Sequence, residues 1–212
     1  MTLSGLHAFR EVTDTDGALP ARVKALFLAV AALVKRYERL AARELARAKS
    51  IGLSVEEAQA GITILCSSRG EGAAEAFADL VAQVFGPDST PETALDLYQP
   101  AEDEARDNFL AYFGEMPPSL GALVDHIPRA ADAYYMMRQG TLAGTALGTK
   151  YAELLLVTVL AADYSPLVTV HAKGAVKAGA SRAELYEAMI CAVPVAGLSG
   201  WVAAHNALDF EI

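Results

Sequence analysis

His171 closes the segment Tyr164-Ser165-Pro166-Leu167-Val168-Thr169-Val170-His171 and is the side chain best suited to chemistry in this chain. An imidazole, with an ordinary pKa near 6.5, both takes and returns a proton around neutral pH, so a general acid or base is the expected role. The competing reading is a core histidine bonded to a backbone carbonyl. Glu153 opens the apolar run Leu154-Leu155-Leu156-Val157-Thr158-Val159-Leu160. Desolvation there would raise a carboxyl pKa toward values useful for proton transfer. The plainer alternative is a surface ion pair with Lys150, three residues back. Arg138 follows Tyr134-Tyr135-Met136-Met137 and suits a bidentate hold on a carboxylate, with Tyr134 beside it as a binding residue, although many arginines at helix ends face water. Trp201 and His205, after Gly197 and Gly200, could line the same cavity, with core packing as the simpler account.

These residues need helices to position them. Ser165 before Pro166 suggests an N-cap with proline at the first helical position, where its missing N–H costs nothing. Leu167, Val168, His171, Ala175 and Ala178 then share one face at helical spacing, placing the imidazole among core-facing groups. Gly179 ends this helix, and Ser181 with Glu184 forms the S-x-x-E pattern of a capping box that starts the next. Ala and Leu dominate, β-branched runs are few, and the turn signals are spaced for helices of roughly 10–20 residues, so the chain is expected to be all-α.

The organisation is a tandem repeat. An offset of 127 residues aligns Tyr37 with Tyr164, Leu40 with Leu167, Gly52 with Gly179, Ser54 with Ser181, Glu57 with Glu184 and Gly70 with Gly197. Helix-ending glycines and capping boxes define a helical unit more sharply than shared hydrophobics do. Opposite His171 the first copy has Glu44, on a charged helix expected to show a solvated face. The expected division is a degenerate first repeat over 1–85, a linker over 86–107 with a short helix from Thr90-Pro91-Glu92, and a second repeat with the site over 108–212, all within one compact unit.

At 212 residues and 53% hydrophobic content, the chain can bury a large core. Its formal charge of −9 opposes a nucleic-acid or anionic membrane partner. The longest apolar runs, 25–34 and 154–162, fall well short of the roughly 20 residues a bilayer span needs. The N-terminal stretch has no basic region with an apolar run, so no secretory signal is expected. Cys66 and Cys191 are isolated in apolar sequence, which suits free thiols in a reducing cytoplasm. No C-x-x-C and no metal-ligand spacing is present, so neither metal nor cofactor is expected.

The stretch from Tyr151 to about Ala207 resembles the carboxymuconolactone decarboxylase and alkylhydroperoxidase family in its Glu153-Leu154 pair, His171, Gly179 and the Glu184-to-Ala188 segment; a weaker copy covers about Leu19 to Leu80. The resemblance implies an alkylhydroperoxidase-like all-α fold, homo-oligomers, and Glu153 as a member of a proton relay. The peroxidase branch carries a C-x-x-C seven and four residues before the histidine, where this chain has Tyr164 and Leu167, so no redox pair is available. Tyr164 could instead supply a phenolic donor to a developing enolate oxygen, whereas the matching Tyr37 in the other repeat favours a structural role. The resemblance implies a cofactor-free acid–base enzyme, a decarboxylase or double-bond isomerase, acting on a small unsaturated dicarboxylate or lactone from aromatic ring cleavage. The rival readings are a catalytically silent helical binding or assembly protein, and a residual peroxidase using Cys66 or Cys191.

Overall fold

The computed structural model describes residues 2–89 and 99–208, and among these every regular element is helical. The first set is α1 (Thr2–Asp14), α2 (Ala21–Val34), α3 (Glu38–Ser50), α4 (Val55–Arg69) and α5 (Glu71–Phe85), closed by a 3-10 turn at Pro87–Ser89. Two further helices follow, α6 (Glu104–Phe113) and α7 (Pro118–His126). The second set is α8 (Pro128–Leu142), α9 (Gly148–Ala162), α10 (Val168–Lys177), α11 (Arg182–Ile190), α12 (Val193–Ala196) and α13 (Leu198–Ala207). The short helix expected at Thr90-Pro91-Glu92 lies outside the described residues.

The chain folds as a tandem helical repeat. α2 and α9 begin 127 residues apart, as do α5 and α13, and α4 spans the residues equivalent to α11 plus α12. The second copy is broken where the first is continuous because Pro194 has no N–H for the helical ladder. Gly52 and Gly179 both hold positive φ, 96° and 89°, at the turn after the third helix of each set, a region that costs a side-chain-bearing residue strain. Both capping boxes form, Ser54 with Glu57 and Ser181 with Glu184.

α2 and α9 pack against each other at the centre and are buried on every side, from Val23 to Leu33 and from Ala152 to Ala162. A helix that is apolar all round has nowhere else to go. Each buried leucine, such as Leu26, Leu154 or Leu155, contributes roughly 1.5–3 kcal/mol. Polar groups on these helices must therefore be satisfied internally. Lys24, almost wholly buried, donates to the Val12 carbonyl (2.7 Å) and to Glu187 Oε2 (3.0 Å), stitching α1 and α2 to α11.

α6 and α7 pack on α8 through a second, smaller core of Ala105, Phe109, Ala131 and Tyr135, capped by Leu120 and Leu123. The division expected at residue 108 falls inside α6, and His126 ends α7. Among the described residues no helix is long and apolar enough to cross a membrane.

Three local expectations need correction. α10 starts at Val168 rather than Pro166: the Ser165 hydroxyl accepts from Leu167 N–H (3.3 Å) in a tight turn, and helical bonding begins only beyond it. Leu167 is 60% exposed, outside the core face it was assigned to. Glu44 does not lie on a solvated face but is fully buried, held by Arg10 (2.9 Å to each carboxylate oxygen), Arg43 and Arg47.

Candidate active site

Glu153 is the only carboxylate on α9, and the apolar character of that helix carries it inward to 1% exposure. Lys150 does not pair with it but with Glu184 (2.7 Å). Both Glu153 oxygens are occupied: Tyr112 O–H on α6 donates to Oε1 (2.8 Å), and His171 Nδ1 lies 2.7 Å from Oε2. A carboxylate in this position accepts from a hydrogen on Nδ1, and in that tautomer of the neutral imidazole the lone pair is on Nε2. Burial, followed by the charge and hydrogen bond of Glu153, pushes the Tyr112 phenol far above its ordinary value, so it remains a protonated donor.

Arg138 on α8 is a second buried charged side chain close to this group, 8% exposed. Its Nη1 donates to Asn108 Oδ1 (2.9 Å), and its guanidinium stacks 4.0 Å from the Tyr112 ring centre with Phe113 beyond at 5.5 Å. Among the described residues no carboxylate pairs with it, which leaves most of a charged donor fork for something else.

Two cavities meet at this centre, sharing Arg138 and Leu142. The first, about 280 Å³, is lined by Asn108, Tyr112, Gln139, Thr149, Glu153 and Lys177. The second, about 180 Å³, is lined by Ser67, Ser68, Arg69, Tyr134, Leu156 and His171. The first repeat thus supplies part of the second cavity's wall, through the end of α4. The Glu153–His171 pair links the two spaces.

Of the residues singled out from sequence, the fold brings together Glu153, His171, Arg138 and Tyr134. Tyr164 stands apart: it turns the chain at φ 56°, its hydroxyl donates to the Ala196 carbonyl (2.8 Å), and Lys35 covers its ring. Trp201 and His205 stack around Tyr186, with ring centres 5.4 and 6.2 Å from it, and line neither cavity. Cys191 is fully buried, and that burial pushes its thiol up to about 12, while Cys66 is half-buried; neither lines a cavity. Among the described residues no group of three His, Cys, Asp or Glu side chains could hold a metal ion.

Sequence reasoning missed Tyr112 and Asn108. Their spacing of four on α6, which puts both on one face, was the available signal.

Residues 128–210 match the model of the carboxymuconolactone decarboxylase family. That stretch runs from the first residue of α8 through α13 and is the part of the chain that is similar to this family. No curated protein matches the chain.

Proposed function

We propose that this protein is an acid–base enzyme that transfers a proton on a small unsaturated carboxylate or lactone, with His171 as the catalytic base and acid. The observation carrying this reading is the Tyr112–Glu153–His171 chain of hydrogen bonds ending at a cavity that a buried, carboxylate-free arginine also lines. Nε2 of His171 takes a proton from carbon. Glu153, 2.7 Å from Nδ1, stabilises the imidazolium that results and fixes the ring's orientation. Arg138 holds the substrate carboxylate, and Tyr134, which lines the same cavity as His171, donates to the developing enolate oxygen in this reading.

Thiol peroxidase chemistry at Cys191 finds no support, since a buried, protonated thiol is a poor nucleophile. Unpaired thiols suit a reducing cytoplasm. Self-association has a candidate surface on α13, where Leu198 and Val202 are exposed one helical turn apart.

The deciding experiment incubates wild type and His171→Ala with ring-cleavage lactones and unsaturated carboxylates, following carbon dioxide release and proton NMR together. Histidine-dependent turnover by either readout supports the reading. No turnover across a broad panel moves the protein to a silent binding scaffold.

A further inference from the structure

We infer that the His171 cavity selects a keto acid with a single carboxylate and an apolar body, and that the reaction there moves a proton while retaining that carboxylate. This rests on the acid–base reading above and narrows its substrate.

Two arginines line the cavity, Arg69 and Arg138. Arg69 already pairs with Asp163, which also lies 3.8 Å from Lys35, and its buried Nε keeps one N–H without a partner. Arg138 is buried and carries no carboxylate, with one N–H on Asn108 and its face on Tyr112. Arg138 is therefore the lining cation that has no carboxylate and takes the ligand's anion, whereas a second anion would have to compete with Asp163 for Arg69. Lys177 does not change this, because it lines the other cavity from an exposed position and directs its ammonium toward the Ala111 carbonyl (3.4 Å).

Leu142, Leu156, Leu160 and Leu167 line the same cavity beside Ser67, Ser68, Thr141 and Tyr134, so the body lying beyond the carboxylate meets hydrocarbon and neutral hydroxyls. Discrimination against a charged terminus there follows from desolvation.

Decarboxylation turns a carboxylate into neutral carbon dioxide and sends its electron pair into the carbon skeleton. A guanidinium fork favours the ionic ground state over that transition state, so the anchored carboxylate is retained. Enolisation keeps the anchor intact. A C–H bond beside the ketone breaks, the proton goes to His171 Nε2, and the electron pair passes to the carbonyl oxygen facing Tyr134. Returning the proton to the same or a conjugated carbon completes exchange or isomerisation without any other reactant.

The test compares 4-oxooctanoate with 4-oxooctanedioate, which differ only by a second terminal carboxylate. Titration calorimetry on the wild-type protein is expected to show the monocarboxylate binding at least tenfold more tightly. Arg138→Gln should cost it tenfold or more, with Arg138→Lys retaining part of the affinity should the glutamine variant fold poorly. In deuterated buffer, NMR should show wild type exchanging the protons beside the ketone with no gas released, and His171→Ala binding the monocarboxylate but not exchanging it. Equal or tighter binding of the dicarboxylate, absence of binding by either, or carbon dioxide release overturns the inference. Selective binding of the monocarboxylate without exchange by wild type sinks the acid–base reading and leaves the ligand class standing.

Discussion

The carboxylate of Glu153 fills the space that a side chain on Gly174 would occupy: a Cβ there would lie 2.5 Å from Oε1 and 2.8 Å from the Tyr112 hydroxyl. Gly174 sits one turn beyond His171 on α10, so the helix that presents the imidazole also leaves room for its partner. Gly174→Ala should push the carboxyl off both hydrogen bonds. The expected cost is about 1–3 kcal/mol, from overpacking a site with no slack. Thermal denaturation should show the melting temperature falling by several degrees. Ketone proton exchange should fall with it, because the imidazole loses its orienting group.

Glu153→Gln separates orientation from packing. The amide has nearly the carboxylate's shape, but its nitrogen can donate to Nδ1, which drives the ring hydrogen onto Nε2 and removes the basic lone pair from the cavity. Catalytic rate should fall about 10²–10⁴-fold, the usual worth of general acid–base catalysis. Ligand affinity should hold within about twofold, since Arg138 is untouched. Calorimetry beside the exchange assay checks both halves, and equal losses in binding and rate would contradict the orienting role.

Some of this architecture was legible in the sequence because it is local. Ser181 and Glu184 are three residues apart and cap their helix whatever surrounds them, as Ser54 and Glu57 do. Glu153 and His171 stood out because each is a titratable group in apolar sequence. Tyr112 could not be recognised the same way, since its role depends on α6 folding back to a carboxylate 41 residues distant. Glu44 misled for a related reason: α3 is charged along its length, and only the approach of Arg10 from α1 makes a buried carboxylate tolerable. The start of α10 was misplaced because Ser165 does bond its neighbour's N–H, but within a turn that is not yet helix.

Tyr112 gives the fold a dependence on alkaline pH. Its folded-state pKa is raised above the ordinary 10.0, chiefly by burial and then by Glu153. The associated stability is fully present below about pH 10 and falls as pH rises further, because the unfolded chain releases this proton first. Tyr112→Phe should lower stability by about 1–3 kcal/mol at pH 8 by leaving Glu153 Oε1 without a donor. The variant should also lose less than wild type between pH 8 and 10.5. Urea titrations at the two pH values measure the difference, and parallel losses would place the alkaline sensitivity elsewhere.

Glu44 gives the opposite dependence, at the acid end and in the other repeat. Burial alone would raise its pKa, but the hydrogen bonds and charge of Arg10, with Arg43 and Arg47, outweigh burial and hold the carboxyl below its ordinary 4.5. A lowered folded-state value contributes stability that is present above pH 4.5 and is lost as pH falls below it, since the unfolded chain takes up this proton first. Glu44→Gln leaves three arginines crowded around a neutral amide. Arg10 and Arg47 retain Asp14, at 2.8 and 3.2 Å, which softens the loss. The expected cost at pH 7 is about 3 kcal/mol, the low end for breaking a buried ion pair. At pH 3.5 the gap between wild type and variant should narrow. A gap that stayed constant across this range would mean that Glu44 acts through packing, with its charge contributing nothing. Because Glu44 occupies the position equivalent to His171, this variant also tests whether the first repeat has exchanged a site for an ionic clasp. Ligand binding at Arg138 should survive the substitution even as the fold weakens.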